Sequence, residues 1–182
     1  MNLSLDGFLS GPNCELDWHF ERWSADMGQV LEQELGKAGS ILMGRKTWQA
    51  MSAYWPSKVA DPCCPREDIS FAMLIHNHSK FVYSNKLKKA GWNNSSILKG
   101  DLESAIQSLK NTGDDKSIIV YGSGQLVQAL ISLNLVDEFQ LWIHPLILGK
   151  GKPLFNGNEQ AGLRLMGSKF FTSGVILLRY ER

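Results

Sequence analysis

Two segments of the sequence combine glycine, hydroxyl and cationic residues in a pattern suited to binding phosphate. The first, Met43-Gly44-Arg45-Lys46-Thr47, follows a short apolar run and precedes a helical pattern. A helix N-terminus presents unpaired N–H groups and the positive end of the helix dipole, which favour an anion. Gly44 lets the backbone approach a ligand, Arg45 and Lys46 add positive charge, and Thr47 adds a hydroxyl. The same spacing also fits an ordinary helix cap flanked by solvated charges.

The second segment is Val120-Tyr121-Gly122-Ser123-Gly124-Gln125, where a β-branched run again leads through glycines into a helical pattern. Two glycines around Ser123 can form a backbone nest for an anion. A tight turn that requires positive φ is the alternative interpretation. Two such junctions in one small chain suggest a ligand that carries several phosphates, bound at the carboxyl ends of the strands.

Other phosphate and nucleophile motifs do not match. A Walker loop needs G-K-[ST] where this chain has Gly44-Arg45-Lys46, and a dinucleotide fingerprint needs a third glycine where Val127 stands. The hydrolase elbow G-x-S-x-G fails because Tyr121 and Gln125 flank the Gly122-Ser123-Gly124 segment. These mismatches leave the two junctions as the features to explain.

Metal and thiol chemistry are poorly supported. Cys63-Cys64 lies among prolines with no histidine nearby, and His76 and His78 are too few to form a metal site. His144 lies inside an apolar strand pattern, which favours a hydrogen-bonded core histidine. We therefore expect no metal, and the cysteine pair receives no role.

Length and charge narrow the class of protein. The chain has 182 residues, which predicts a single domain over 1–182. A formal net charge of +1 argues against a dedicated nucleic-acid-binding protein. The apolar runs are far shorter than the about 18–20 residues that span a bilayer, and residues 1–6 lack the features of a signal peptide. These features predict a cytoplasmic protein with no membrane or nucleic-acid partner.

The elements that must position the two junctions alternate between strand and helix up to about residue 148, and strands alone follow. This order predicts an α/β fold, a three-layer sandwich whose mixed, mainly parallel sheet has an antiparallel C-terminal edge. Apolar spacing from Phe20 through Trp23 to Leu35 predicts one amphipathic helix with Trp23 facing inward. The proline-rich stretch 56–70 predicts a loop, and Phe139 to Leu148 predicts a long strand.

Five motifs in order resemble the dihydrofolate reductase superfamily, and most closely the reductase domain of the bifunctional riboflavin-biosynthesis deaminase-reductase. They are Ser4-Leu5-Asp6-Gly7-Phe8, Leu42-Met43-Gly44-Arg45-Lys46-Thr47, Gly122-Ser123-Gly124-Gln125-Leu126, Leu135-Val136-Asp137-Glu138 and Pro145-Leu146-Ile147-Leu148-Gly149-Lys150-Gly151-Lys152-Pro153-Leu154-Phe155. The likeness runs from Leu3 to about Tyr180. It implies a dihydrofolate reductase-like fold with NADPH across the carboxyl edge of the sheet.

The resemblance also assigns cofactor-binding positions. Residues 44–47 would bind the cofactor phosphates, with Arg45 toward the 2′-phosphate. Ser84, Asn85 and Lys86 would meet the adenosine side, and the loop Leu9 to Trp18 would cover the nicotinamide. The residues implied to bind NADPH are Gly44, Arg45, Lys46, Thr47, Ser84, Asn85, Gly122, Ser123, Gly124, Gln125 and Leu126.

The substrate side departs from true dihydrofolate reductases. Trp23 stands near the position of their helical acid, and Trp142 stands where a strand threonine is expected. Asp6, Trp18 and Trp23 are the candidate substrate contacts, although Asp6 before Gly7 also suits a turn. No catalytic residue is assigned.

The resemblance implies an NADPH-dependent reductase that transfers hydride to a C=N or C=O group of a small heterocycle, such as a 5-amino-6-(5-phosphoribosylamino)uracil-like molecule. The alternative is an NADP(H)-binding module without turnover, which the missing proton donor favours. A homodimer is also implied, with Phe139 to Leu148 or the C-terminal tail as its contact. The sequence offers no role for Trp92.

Overall fold

The computed structural model describes residues 1–59, 61, 66–112, 116–155 and 160–182, with the side chains of 66–68 left aside. The described chain forms two compact units, one of Met1–Gly28 with Val127–Arg182 and one of Gln29–Leu126. The single domain over 1–182 stays a prediction. Cys63 and Cys64 lie outside the described residues.

Strands and helices alternate as predicted through most of the chain. The strands are β1 (Asn2–Ser4), β2 (Phe8–Ser10), β3 (Ser40–Gly44), β4 (Ser79–Tyr83), β5 (Ser95–Leu98), β6 (Ile118–Val120), β7 (Glu138–His144), β8 (Lys152–Pro153), β9 (Arg164–Phe170) and β10 (Ile176–Glu181). The helices are α1 (Asp17–Phe20), α2 (Ala25–Lys37), α3 (Arg45–Val59), α4 (Arg66–Asn77), α5 (Leu102–Lys110) and α6 (Gly124–Ser132).

A fully parallel sheet of order β5-β4-β3-β6 forms the centre of the Gln29–Leu126 unit. Ser40 of β3 pairs with Ser79 of β4 on one side and with Ile118 of β6 on the other. The central strand β3 is buried on both faces through Ile41, Leu42 and Met43, as expected of a parallel strand covered by helices. Its main core cluster comprises Leu35, Ile41, Met43, Trp48, Ile75, Val82 and Trp92.

Trp92 is a structural residue of this unit. It is buried, and its Nε1 donates to His76 Nδ1 at 3.1 Å. Beside it lies Lys80, whose Nζ donates to the carbonyls of Ile75, His76 and His78 at 2.7–2.9 Å and sits 4.6 Å from the Trp92 ring centre. Burial lowers the pKa of Lys80 to about 8. A cation at the C-terminal end of α4 complements the helix dipole, so this cluster fixes the entry into β4.

The other unit contains a mixed sheet of order β1-β7-β10-β9, together with the small pair β2-β8. β1 pairs parallel with β7, whereas β10 pairs antiparallel with both β7 and β9. The α/β class, the mainly parallel pairing and the antiparallel C-terminal edge are therefore confirmed. The pairing is divided between two four-stranded sheets, and β7 ends at His144 because the chain turns at Pro145.

The predicted helix from Phe20 to Leu35 is interrupted, and this prediction was wrong for its first turns. Residues 21–24 separate α1 from α2, and the N–H groups of Met27 and Gly28 both donate to the Ser24 carbonyl, which starts α2 afresh. Phe20 is 67% exposed and Trp23 41% exposed, so Trp23 does not face inward on a helix.

The loop predicted for 56–70 was also wrong in part. Helix α3 continues through Pro56 to Val59, and α4 begins at Arg66. Pro56 gives up one helical hydrogen bond, but Met51 and Trp55 of the same helix pack against the core of the unit. Packing of this apolar face outweighs the local cost. None of the described helices is long and apolar enough to cross a membrane, and the cytoplasmic location stays a prediction.

Candidate functional site

The order of the parallel sheet creates a topological switch at the carboxyl ends of β3 and β6. From β3 the chain passes through α3 and α4 to β4 on one side, while β6 lies on the opposite side of β3. Helix α3 begins at Arg45, directly after β3, and α6 begins at Gly124, four residues after β6 ends. In open α/β sheets, ligands bind in the crevice at such a switch, where helix N-termini converge.

Ser123 joins the two predicted phosphate-binding segments. Its Oγ accepts a hydrogen bond from the Gly44 N–H at 2.9 Å, and it lies 2.9 Å from Thr47 Oγ1 and 3.0 Å from the Tyr121 carbonyl oxygen. The hydroxyl of Ser123 is therefore used to hold the turn against β3 and α3. What this turn can offer a ligand is backbone N–H groups.

Gly122 is required by the geometry of the same turn. Its φ is +54° and that of Ser123 is +63°, so two successive residues are left-handed. A Cβ on Gly122 would lie 3.1 Å from Thr47 Cγ2. Only glycine adopts this φ and avoids the close contact with Thr47 without strain, because a left-handed backbone is costly for residues with a side chain.

The cationic residues of the site lie in the first turn of α3. Arg45 is half-buried and its Nη1 donates to Gln49 Oε1 at 3.0 Å, while Lys46 is exposed. At the start of α6, Gln125 is exposed and Leu126 is buried. Positive side chains beside a helix N-terminus reinforce its attraction for an anion.

The residues after β4 mainly hold two strand ends together. Buried Ser84 accepts hydrogen bonds from the N–H groups of Lys86 and Leu87 at 3.2 and 3.0 Å. Asn85 Oδ1 accepts from the N–H of Gly100, just after β5, at 2.8 Å. These two side chains shape the turn at the carboxyl edge, and Lys86 is an exposed cation there.

These segments fit a polyanionic cofactor such as NADPH. The segments 43–47, 84–88 and 121–126 contain no acidic residue. All three follow adjacent parallel strands, β6, β3 and β4, at one edge of the sheet. The Gly122 position leaves space that a Cβ would fill against Thr47. A sheet edge that lacks acidic side chains and lets a ligand approach the backbone N–H groups closely is complementary to phosphate.

Asp6 is used as a structural carboxylate in the other unit. Its Oδ1 accepts from Ser4 Oγ at 2.6 Å and from the Leu148 N–H at 3.1 Å, and its Oδ2 accepts from the Gly149 N–H at 2.8 Å. The Ser4 hydroxyl and these two N–H groups lower the pKa of Asp6. Its described contacts include neither Trp18 nor Trp23, so Asp6 fixes the turn that follows β7.

Trp18 contacts two histidines. Its ring centre lies 5.5 Å from that of His19 and 5.2 Å from that of His144, both in edge-on orientation. His144 is fully buried at the end of β7, and its Nε2 lies 3.1 Å from Asn2 Oδ1. The prediction of a core histidine at 144 is confirmed, although only one ring nitrogen has a partner. His19 carried no signal in the sequence.

Trp23 belongs to an aromatic stack that includes Trp142 of β7. Its ring lies 6.2 Å from Trp142 at 23°, and Trp142 lies 5.0 Å from Phe171 at 10°. Trp142 and His144 are two residues apart on β7 and so share one face of the sheet. The structure thus brings Trp18 and Trp23 to one face of β7, and Phe171 is an addition that sequence reasoning missed.

Comparison with known proteins identifies relatives over nearly the whole chain. The family model for the RibD C-terminal domain matches residues 1–177. The uncharacterized protein YyaP of Bacillus subtilis (strain 168) is 36% identical over 182 residues, covering 98% of this chain and 90% of the relative.

Solved structures share the fold at low sequence identity. A Shewanella sp. PV-4 protein whose name refers to riboflavin biosynthesis matches with a TM-score of 0.75 at 23% identity, covering 100% of this chain and 96% of that one. RibD of Acinetobacter baumannii matches with a TM-score of 0.69 at 14% identity, covering 100% of this chain and 56% of that one. The present chain thus spans about half of that RibD chain.

Proposed function

The chain belongs to the RibD C-terminal domain family, and on that premise we propose that it is an NADPH-dependent reductase. It would transfer hydride to a C=N or C=O group of a small heterocycle, with a 5-amino-6-(5-phosphoribosylamino)uracil-like molecule as one candidate. The observation that carries the proposal is the Ser123 hydroxyl, which ties the N-terminus of α6 to Gly44 and Thr47 at the sheet's switch point.

Each part of this edge has a task in binding the cofactor. The N–H groups at the starts of α3 and α6 hold phosphate oxygens, and Arg45 selects the 2′-phosphate by charge. Lys46 and Lys86 add long-range attraction, which salt weakens. Bound NADPH supplies the hydride, and the protein's contribution is to bind, orient and exclude water.

The aromatic residues of the other unit favour a flat substrate. Trp23, Trp142 and Phe171 form nearly parallel planes, and Trp23 is 41% exposed. Stacked aromatic pairs contribute about 0.5–1.5 kcal/mol beyond the area that they bury. A planar heterocycle placed on the exposed part of Trp23 would extend this stack.

A binding module without turnover is the second candidate, and Asp26 is the observation that favours it. This carboxylate lies close in sequence to Trp23, but it accepts hydrogen bonds from Ser24 Oγ and from the N–H groups of Met27 and Thr172. The Ser24 hydroxyl, followed by the Thr172 N–H, lowers its pKa. A carboxylate held ionised in this way is a poor proton donor for imine reduction.

The experiment that decides between the reductase and the binding module tests whether pterins, pyrimidines or aldehydes cause the oxidation of NADPH. The loss of NADPH absorbance measures this oxidation. The reductase proposal predicts turnover with at least one planar carbonyl or imine compound, and a slower rate with NADH. Tight NADPH binding with no oxidation by any compound would favour the module instead.

We also propose that the chain forms a homodimer through β9. Strand β7 is paired on both sides, by β1 and β10, whereas β9 is an edge strand. It exposes Leu165, Met166 and Phe170 at 51–74%. An exposed apolar edge strand is a ready surface for pairing with another copy.

A charge on this edge should dissociate the dimer. We expect Phe170→Lys to raise the dimer dissociation constant by about a hundredfold, because each copy would lose an apolar contact and gain a desolvated charge. Light scattering after size exclusion measures the mass. Ile147→Lys, which alters another apolar residue with 72% exposure, is the matched control and should stay dimeric. Equal masses for both variants would contradict β9 as the interface.

A further inference from the structure

Three buried ring nitrogens in the Met1–Gly28 and Val127–Arg182 unit have no hydrogen-bond partner within the described chain. They are Trp18 Nε1, His19 Nδ1 and His144 Nδ1. His144 is 0% exposed and His19 is 9% exposed. A buried polar atom without a partner costs free energy, so such groups are rare unless a ligand or water completes them.

The three nitrogens belong to one cluster. The rings of Trp18 and His144 are 5.2 Å apart, those of Trp18 and His19 are 5.5 Å apart, and those of the two histidines are 6.2 Å apart. All three pairs are edge-on, with interplanar angles of 73–88°. A small group that reaches one of these nitrogens therefore lies beside the other two rings.

The chemistry of the cluster selects the group that it can bind. His144 Nε2 faces Asn2 Oδ1 at 3.1 Å, an oxygen that only accepts, so the proton lies on Nε2 and Nδ1 is an acceptor. Trp18 Nε1 is a donor only. Burial lowers the pKa of His144 to about 4, and the nearby charges of His19, Arg22 and the N-terminus act in the same direction.

A hydroxyl is the group that accepts from an indole N–H and donates to a neutral imidazole with the same oxygen. A carboxylate has no proton to donate to His144 Nδ1, and an ammonium group cannot accept a hydrogen bond from the Trp18 N–H. We propose that Trp18 and His144, with His19 beside them, form a subsite that recognises a hydroxyl group on the substrate. This assignment to a substrate rests on the proposed reductase function, whereas the hydroxyl selectivity can be measured without it.

The test uses phenol, anisole and toluene as probes, because they share one flat ring and differ in the oxygen. Each is titrated into the whole protein without NADPH, while ¹⁵N-resolved NMR follows the Trp18 indole and the His144 ring. We expect phenol to shift both signals and to bind about tenfold more tightly than toluene, with anisole affecting Trp18 alone.

Conservative variants separate recognition from folding. Trp18→Phe removes the donor, and His144→Gln keeps an amide that can reach Asn2; each should bring the affinity for phenol down to that for toluene. Trp55→Phe alters a tryptophan of the other unit and should leave phenol binding unchanged. Equal affinities for phenol and toluene, or phenol binding that survives both variants, would overturn the subsite. If phenol binds selectively but NADPH is never oxidised, the hydroxyl site stands and the reductase function fails.

Discussion

Replacing Gly122 by alanine is expected to weaken NADPH binding about tenfold, or by roughly 1.4 kcal/mol. The φ of +54° would cost about 1–2 kcal/mol with a side chain present, and the new Cβ would press on Thr47 Cγ2 at 3.1 Å. Relief of that contact must move the start of α3 or the turn before α6, the two places that hold phosphate in our account. Thermal melts with and without NADPH measure both effects, and the melting temperature of the free protein should fall by about 2–8 °C.

Gly174→Ala is the matched control for this prediction. Its φ is +83°, and a Cβ there would meet Pro145 Cγ at 3.5 Å, an ordinary contact distance. This variant should lose comparable stability without losing NADPH affinity. If both variants bind NADPH as well as the wild type, the turn at Gly122 does not hold the phosphates.

Acid should destabilise the fold through His144. Its pKa in the folded protein is about 4, below its ordinary value of 6.5, because the ring is buried and lies near other positive groups. As the pH falls through 6.5, the unfolded chain takes up a proton that the folded chain does not. His144 therefore leaves the free energy of unfolding unchanged above pH 6.5. Below that pH it lowers this free energy progressively toward pH 4, by about 3 kcal/mol at most. His19, whose pKa burial also lowers, adds in the same direction.

Urea unfolding at pH 7 and pH 5 measures this loss. In His144→Gln the difference between the two pH values should shrink by about 2 kcal/mol, because a glutamine has no proton to gain. The variant will be less stable at pH 7, so the comparison is between the two pH values within each protein. A wild-type protein with the same pH dependence as the variant would show that His144 is not the acid-sensitive group.

The two strand-to-helix junctions could be predicted because their signals are local. Each junction, in which a strand leads through glycine into a helix, occupies only five or six consecutive residues, as at Gly44 and Gly122. The bond from Ser123 to Gly44 joins residues 79 positions apart, and no local pattern contains it. Sequence analysis therefore identified both junctions, including Ser123, but not the hydrogen bond that joins them.

The aromatic side was harder because its geometry depends on distant contacts. The spacing of Phe20, Trp23 and Met27 fits a helix, yet Trp23 leaves the helix and stacks on Trp142 of β7. The sequence allows Asp6 to be a turn residue or a substrate contact. Only the fold shows that its two carboxylate oxygens accept hydrogen bonds from the Ser4 hydroxyl and from the backbone N–H groups of residues 148 and 149. Pro56 within α3 is a further case in which packing overrides a local signal.

The most direct test of the central claim is calorimetric titration of NADPH and NADH into the wild type, Arg45→Ala and Lys37→Ala. Lys37 is a surface cation of the same unit, paired with Glu34 at 3.4 Å, and serves as the charge control. We predict that the wild type and Lys37→Ala prefer NADPH by at least tenfold, and that Arg45→Ala loses most of this preference. Absence of NADPH binding to the wild type, or an unchanged preference in Arg45→Ala, would contradict the account.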